Sequence, residues 1–485
     1  MTTSDLAGLM PMLLPALGGV FILLMIALAH DLDLLWHGAA TAVFLVLSGG
    51  SALQLLAQGY REELLDGALL VDPQAMAFHL IFVVVGLLTV LSSVNHLKAE
   101  RHAWGEFFAL ILFAVTGMSL MAASENLLSI FLGLEILSIS LYVLAGFTRE
   151  RAHAIEGALK YFLLGAFSTG FLLYGVALLF GVTGRIDLPG IAARLSAARG
   201  GPADPMLLAA AVLLIVGLVF KVAAVPFHFW APDVYQGSMA PVAGFMAAGT
   251  KAAAFAALLR VLSVAMGDDP LRARWMVLLH VLALLTMIVG NVVALAQQNV
   301  KRLLAYSSIA NAGYLLVAVV AAGPGGAGRS LVLFYLTIYA FITIGAFSVA
   351  ALVGRTGEGD QGYAITAYAG LSRRRPLLAV AMAIFMLSLT GIPPTGGFMG
   401  KFYVFKAAVD GGQYDLALVG VLASVVGAVY YLRVVWQMFV REPIGDEEPA
   451  PLRPTEALGI LVAAAATLLI GLFPSALLAL AQHLA

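Results

Sequence analysis

The 485-residue chain contains no cysteine. That excludes disulfides, thiolate zinc sites and cysteine-ligated iron–sulfur clusters on this polypeptide, so any electron carrier that serves it sits on another chain. Charge is also scarce. Only 11% of residues are Asp, Glu, Lys or Arg, and the net charge is −1. With no basic face, nothing marks a nucleic-acid partner. No Walker A motif, metal-ligand spacing or nucleophile elbow occurs. Gly323–Gly328 fits G-x-G-x-x-G, but it follows an apolar run instead of a strand, and it reads as a loop.

What the chain does have is hydrophobicity: 62% of residues are apolar, in windows long enough to cross a bilayer. This predicts an all-α membrane protein, a single polytopic domain over 1–485. Its lipid-facing surface belongs to the bilayer. About fourteen spans are expected, near 9–29, 36–58, 74–95, 105–123, 126–147, 158–181, 206–228, 239–265, 275–297, 301–322, 331–353, 376–408, 414–440 and 456–479. The first is too long for a signal-peptide core and is read as a retained helix. Pro226 interrupts the seventh span, with Pro232 just beyond it, and Gly391-Ile-Pro-Pro394 interrupts the twelfth.

Lys98, Arg101, Arg149, Arg151, Lys301, Arg302, Arg355, Arg373, Arg374, Arg375, Arg441 and Arg453 fall in loops on one side. Arg61, Arg185, Arg194, Arg199, Arg272, Arg274 and Arg329 fall on the other. The richer side is expected to be cytoplasmic, which puts both termini outside. All five tryptophans lie near span ends, as an interfacial belt predicts.

A repeat with a period of about 173 residues relates Asn126 to Asn299 and Tyr161 to Tyr335. It divides the chain into 1–100 (helices 1–3), 105–265 (helices 4–8), 275–440 (helices 9–13) and 456–485 (helix 14). Five spans per copy is an odd number, so the second copy crosses in the opposite sense. Inverted repeats with broken helices are the layout of transporters, and the breaks mark the transport site.

Several ionisable residues fall where lipid would surround them. A lysine at mid-span costs about 2.5–3.5 kcal/mol on insertion scales, so such residues are functional by default. Glu135 lies about nine residues into the fifth span, near mid-membrane. Lys221 precedes Pro226 by five residues, beside a carbonyl that the proline leaves without a donor. His228 follows two turns later, nominally on the same face, and suits a relay. Lys251 lies roughly 15 Å along the helix that follows Pro241. Lys401 takes the mirrored place after the twelfth-span break, while Lys406 can snorkel to the interface. Lys160, at the expected start of the sixth span, reads equally as a relay group or a positive-inside anchor. Arg260, His280 and Arg433 read as structural or interfacial.

Together these residues resemble the antiporter-like subunits of proton-pumping NADH–quinone oxidoreductase (respiratory complex I), and within them subunit N. The resemblance rests on Leu132-Gly-Leu-Glu135, Phe220-Lys221, Val225–Gly237 with its P-D-V-Y-Q-G, Lys301–Ser308, Gly391-Ile-Pro-Pro394 and Gly397–Tyr403. It implies a proton-translocating subunit in a bacterial inner membrane, packed against other membrane-arm subunits and through them coupled to the hydrophilic arm. FMN and iron–sulfur clusters would reside on those partners, with no cofactor on this chain. Glu135 and Lys221 would form a switchable ion pair, Lys251 the central carrier reached through His228, and Lys401 the second carrier. Where Asn311 stands the family often has histidine. Asparagine can orient water but carries no proton, so the link between the half-channels is broken there or runs through water. The wider family includes Mrp-type cation/proton antiporters, which are the alternative reading. A purely structural scaffold would not carry four intramembrane lysines and a glutamate.

Overall fold

The computed structural model describes residues 3–29, 32–99, 104–197, 205–266, 272–323, 326–355, 359–444 and 451–484. Arg101, Arg199 and the Pro324-Gly325 step of the glycine-rich run lie outside them. Among the described residues twelve helices are long and apolar enough to span a membrane, and two shorter apolar helices, Pro205–Lys221 and Pro376–Thr390, lie at the interrupted seventh and twelfth spans. The expectation of about fourteen spans holds as an approximate count.

The chain opens with α1 (Thr3–Leu28), α2 (Leu34–Ala57) and α3 (Pro73–Ala99). Asp33 caps α2 by accepting from the Leu35 N–H. The Pro11 carbonyl in α1 has no intrahelical donor, because Pro15 lacks an N–H. Ser48 of α2 donates to it at 2.7 Å. The same hydroxyl meets Nε2 of buried His79 at 2.8 Å, and His79 Nδ1 lies 2.7 Å from the Ser119 hydroxyl. A buried polar chain therefore bolts the first helices together. A hairpin of β1 (Glu62–Leu64) and β2 (Leu69–Val71), absent from the hydropathy pattern, caps this layer.

The first repeat comprises α4 (Glu106–Ala123), α5 (Leu127–Ala145), α6 (Ala152–Thr183), α7 (Leu188–Ala197), α8 (Pro205–Lys221) and α9 (Trp230–Gly237). It closes with one long crossing: α10 (Ala240–Phe245), a π-helical turn at Met246–Thr250, α11 (Lys251–Arg260) and a second π turn at Val261–Ala265. The second repeat comprises α12 (Arg272–Leu295), α13 (Val300–Ala322), α14 (Gly326–Gly354), α15 (Leu371–Arg374), α16 (Pro376–Thr390), α17 (Gly396–Asp410) and α18 (Tyr414–Phe439). The last expected span is divided at Pro474 into α19 (Pro454–Leu472) and α20 (Pro474–Leu484). α7 is an unexpected amphipathic helix that buries Leu188, Ile191 and Leu195.

The two repeats match in detail. Asn126 and Asn299 both cap their helices with the side-chain oxygen, and each forms an isolated β-bridge, to Asp187 and Ala364. Leu188 N–H donates to the Glu125 carbonyl, and Ile365 N–H donates to the Gln298 carbonyl. Gly117 lets α4 touch α5 backbone to backbone, since a Cβ there would lie 2.5 Å from Leu137 N. Gly290, 173 positions on by the numbering, does the same between α12 and α13, where a Cβ would lie 2.6 Å from Ala310 N.

Three expectations change. α6 begins at Ala152, so Lys160 sits two turns inside the helix; the polar His153–Glu156 stretch hides the first turns from a hydropathy window. α8 ends at Lys221, and His228 belongs to the non-helical segment 222–229, so the two share no helix face. Trp230 and Trp275 are only 1% exposed and belong to the core, whereas Trp36 and Trp436 stay at the surface.

Candidate functional site

Four lysines are buried among the described residues: Lys301, in the first turn of α13, is 1% exposed, and Lys221, Lys251 and Lys401, the three singled out in the sequence, are 2%, 1% and 6% exposed. Buried ammonium groups need acceptors. Each here finds a neutral oxygen. Lys221 Nζ donates to Ser138 Oγ at 2.8 Å, and Ser138 donates in turn to the Leu134 carbonyl. The faces of Tyr142, Tyr161 and Phe220 surround the same nitrogen at 5.3–5.7 Å, a cation–π cage. Glu135 lies one turn before Ser138 on α5, within Coulombic reach of Lys221. No contact within 4.0 Å joins them among the described residues, and Glu135 Oε1 is buried without a hydrogen-bond partner. In this arrangement Lys221 is held by Ser138, and the switchable pair with Glu135 is open.

Lys251 opens α11 directly after the π turn. Such a turn carries one residue more than an α turn and recurs at functional sites. The ammonium donates to the Ser308 carbonyl in the interior of α13. Ser308 occupies the place in the second repeat that Glu135 holds in the first. His228 is buried, with its ring 4.5 Å from that of Phe229, and no hydrogen bond joins it to Lys221 or Lys251.

Lys401 Nζ donates to the carbonyls of Leu389 and Thr390 at 2.8 and 3.1 Å. These are the last carbonyls of α16. They are free because Gly391, at φ 89°, ends the helix in the left-handed region. The negative end of the α16 dipole thus faces the lysine. Tyr314 presents its ring face at 4.9 Å. Lys401 shares a small cavity with Asn311, Tyr335, Tyr339 and Ser388. Asn311 accepts from the Tyr335 hydroxyl at 2.6 Å and donates to the Ser307 carbonyl. Asn311 is the counterpart of Ser138, and Tyr335 of Tyr161. Both pairs thus lie beside a buried lysine, the first in contact with Lys221 and the second lining the cavity of Lys401.

Polar side chains that the sequence reading passed over extend the second site. Asn291 donates to the Tyr314 hydroxyl and accepts from Tyr430, each at 3.1 Å, while Ser307 and Tyr431 hydroxyls meet at 2.5 Å. The one signal for them in the sequence was Tyr335 at repeat spacing from Tyr161. Lys160 does not reach the lysine sites. It is half exposed and bonds Glu156 at 2.6 Å and Asp233 at 2.8 Å. Arg260 bonds Asp72 and the Ala122 carbonyl, His280 pairs with Asp415, and Arg433 caps the carbonyls of Leu295 and Gln297, all as structural contacts.

An inverted-repeat helical bundle with two broken helices and a row of buried lysines defines an ion-translocating membrane module. Residues 124–427 match the transmembrane family described as NADH:quinone oxidoreductase/Mrp antiporter, and the chain belongs to that family. It is 49% identical to the NADH-quinone oxidoreductase subunit N of Trichlorobacter lovleyi, across 86% of this chain and 84% of that one. A chain of respiratory complex I from Thermus thermophilus superposes with a TM-score of 0.81 at 37% identity, covering 97% of this chain and 99% of that one. A chain of the Mrp complex from Dietzia sp. shares the fold, with a TM-score of 0.87 at 20% identity over 100% and 97% of the two chains.

Proposed function

We propose that this chain is a proton-translocating, antiporter-like subunit of the membrane arm of NADH–quinone oxidoreductase. It works as a multi-pass protein of the bacterial inner membrane with both termini on the periplasmic side. NADH oxidation and quinone reduction, with the FMN and iron–sulfur clusters they need, take place on partner subunits. Protons pass along Glu135, Lys221, His228, Lys251 and Lys401, with Lys160 and Asn311 assisting.

The observation that carries this reading is that Lys221, Lys251 and Lys401 are each held by neutral oxygens. A carboxylate in contact would fix the ammonium form. A hydroxyl or carbonyl accepts from an ammonium and equally from a neutral amine, which still has two N–H groups. Ser138 can also turn its hydrogen from the Leu134 carbonyl to the Lys221 nitrogen once that proton has left. Each site can therefore load and unload without stranding a counter-charge. Glu135, near but not touching, biases Lys221 through space.

Mrp-type cation/proton exchange is the second reading, favoured by the shared fold alone. The test is Lys251→Ala in the assembled complex, assayed in inverted vesicles for proton uptake during NADH-driven quinone reduction. Uptake is expected to fall roughly tenfold, as for loss of about 1.4 kcal/mol of barrier lowering. Undiminished uptake would remove Lys251 from the path.

A further inference from the structure

Asp233 is absent from the proton path above, yet both of its oxygens are engaged. Oδ2 accepts from Lys160 of α6 at 2.8 Å, and Oδ1 accepts from Arg302 of α13 at 2.5 Å. One cation belongs to the first repeat and the other to the second. Lys160 is shared with Glu156 at 2.6 Å, and Arg302 also reaches Gln236 at 3.2 Å. His153 lies 3.9 Å from Glu156. Counting seven residues from the last proline of each break, from Pro226 and from Pro394, gives Asp233 in one repeat and Lys401 in the other. The two copies thus set opposite charges at the same place.

α9, which carries Asp233, lies flush on α6. A Cβ on Gly157 would come within 3.1 Å of the Asp233 carbonyl oxygen, and one on Gly237 within 2.3 Å of the His153 carbonyl oxygen. α9 also begins with Trp230, whose ring stacks on Tyr161 at 4.5 Å and whose Nε1 donates to the Phe220 carbonyl at 3.2 Å. Tyr161 and Phe220 are two of the three rings around the Lys221 ammonium. On the other side, Lys301 donates to the Ser238 carbonyl at the joint between α9 and α10. A displacement of α13 therefore pulls on α9 through Arg302 and Lys301, and α9 moves the rings over Lys221.

The geometry points to Asp233 as the positioning residue that couples the two repeats, pinning α9 between Lys160 and Arg302 and so setting the surroundings of Lys221. This rests on the proton-relay reading of Lys221. The test uses the assembled complex in inverted vesicles, with turnover and proton uptake normalised to the amount of complex and followed across pH. Asp233→Asn is expected to lower both roughly tenfold and to displace the pH profile, with Asp233→Glu restoring most of the loss. Lys160→Ala and Arg302→Ala are expected to lose activity singly and to add nothing in the Asp233→Asn background. Wild-type turnover and pH profile in Asp233→Asn, or losses that simply add, overturn the proposal. Should Asp233→Asn fail to assemble, the Lys160→Ala/Arg302→Ala double variant decides. A loss no larger than the greater single loss supports the coupling, and additive losses overturn it. Lys221→Ala separates the two claims: full pumping in that variant defeats the relay reading, while abolished pumping beside a normal Asp233→Asn defeats the coupling alone.

Discussion

Ser138 looks unremarkable in the sequence, a serine in an apolar helix, yet it is the acceptor for the Lys221 ammonium. Removing a buried acceptor leaves its donor to bear the full desolvation cost. Ser138→Ala is expected to reduce proton uptake roughly tenfold, with Ser138→Thr restoring it, measured in the assembled complex. A second residue-scale prediction concerns Glu125, in the loop between α4 and α5. Burial pushes its carboxyl above the usual range, against the pull of Arg260 and with the help of Glu63 and Asp72. The folded chain then holds this proton more tightly than the unfolded chain. Folding is penalised as pH rises through the carboxylate range, and the penalty is absent at lower pH. Glu125→Gln is expected to raise the thermal midpoint of the purified complex at pH 8, with the gain vanishing towards pH 4. Residues such as Lys221, Lys251 and Lys401 were legible because charge in an apolar run stands out. Their partners were not, since a backbone carbonyl such as that of Ser308 leaves no mark in the sequence.

At the level of elements, proline and glycine announced both helix breaks, and the structure places them at 222–229 and 391–395. The start of α6 and the hairpin were hidden, the first by polar residues in its opening turns and the second by its brevity. The π turn before Lys251 had no sequence signature either, because its residues, Met246–Thr250, are ordinary helix formers and small residues. The helix pairs α4–α5 and α12–α13 depend on close backbone approach at Gly117 and Gly290. Here a side chain would meet backbone, which cannot give way. Gly290→Val is expected to destabilise the bundle by about 1–3 kcal/mol, seen as a lower thermal midpoint and less assembled complex in membranes. Gly50, with nothing within 4 Å of a Cβ, is the matched control in which little should change.

For the molecule as a whole, the class and the repeat were readable from hydropathy and from the 173-residue spacing. What the pairs do became visible only in three dimensions, where Ser138 and Tyr161 contact Lys221 while Asn311 and Tyr335 bond each other beside Lys401. The departure at Asn311 gains a different meaning there. It accepts from the Tyr335 hydroxyl and lines the cavity that Lys401 shares, so an amide that orients its neighbours stands beside that lysine. The inverted relation of the copies also bears on electrical work. Carrying one charge across a membrane at 100 mV costs about 2.3 kcal/mol. Two sites related by inversion lie at equal electrical depth from opposite faces. Filling the first from its side and emptying the second to the other then oppose equal shares of the voltage. On the proposed path no single transfer must climb the whole potential, and a rise in voltage slows both steps alike.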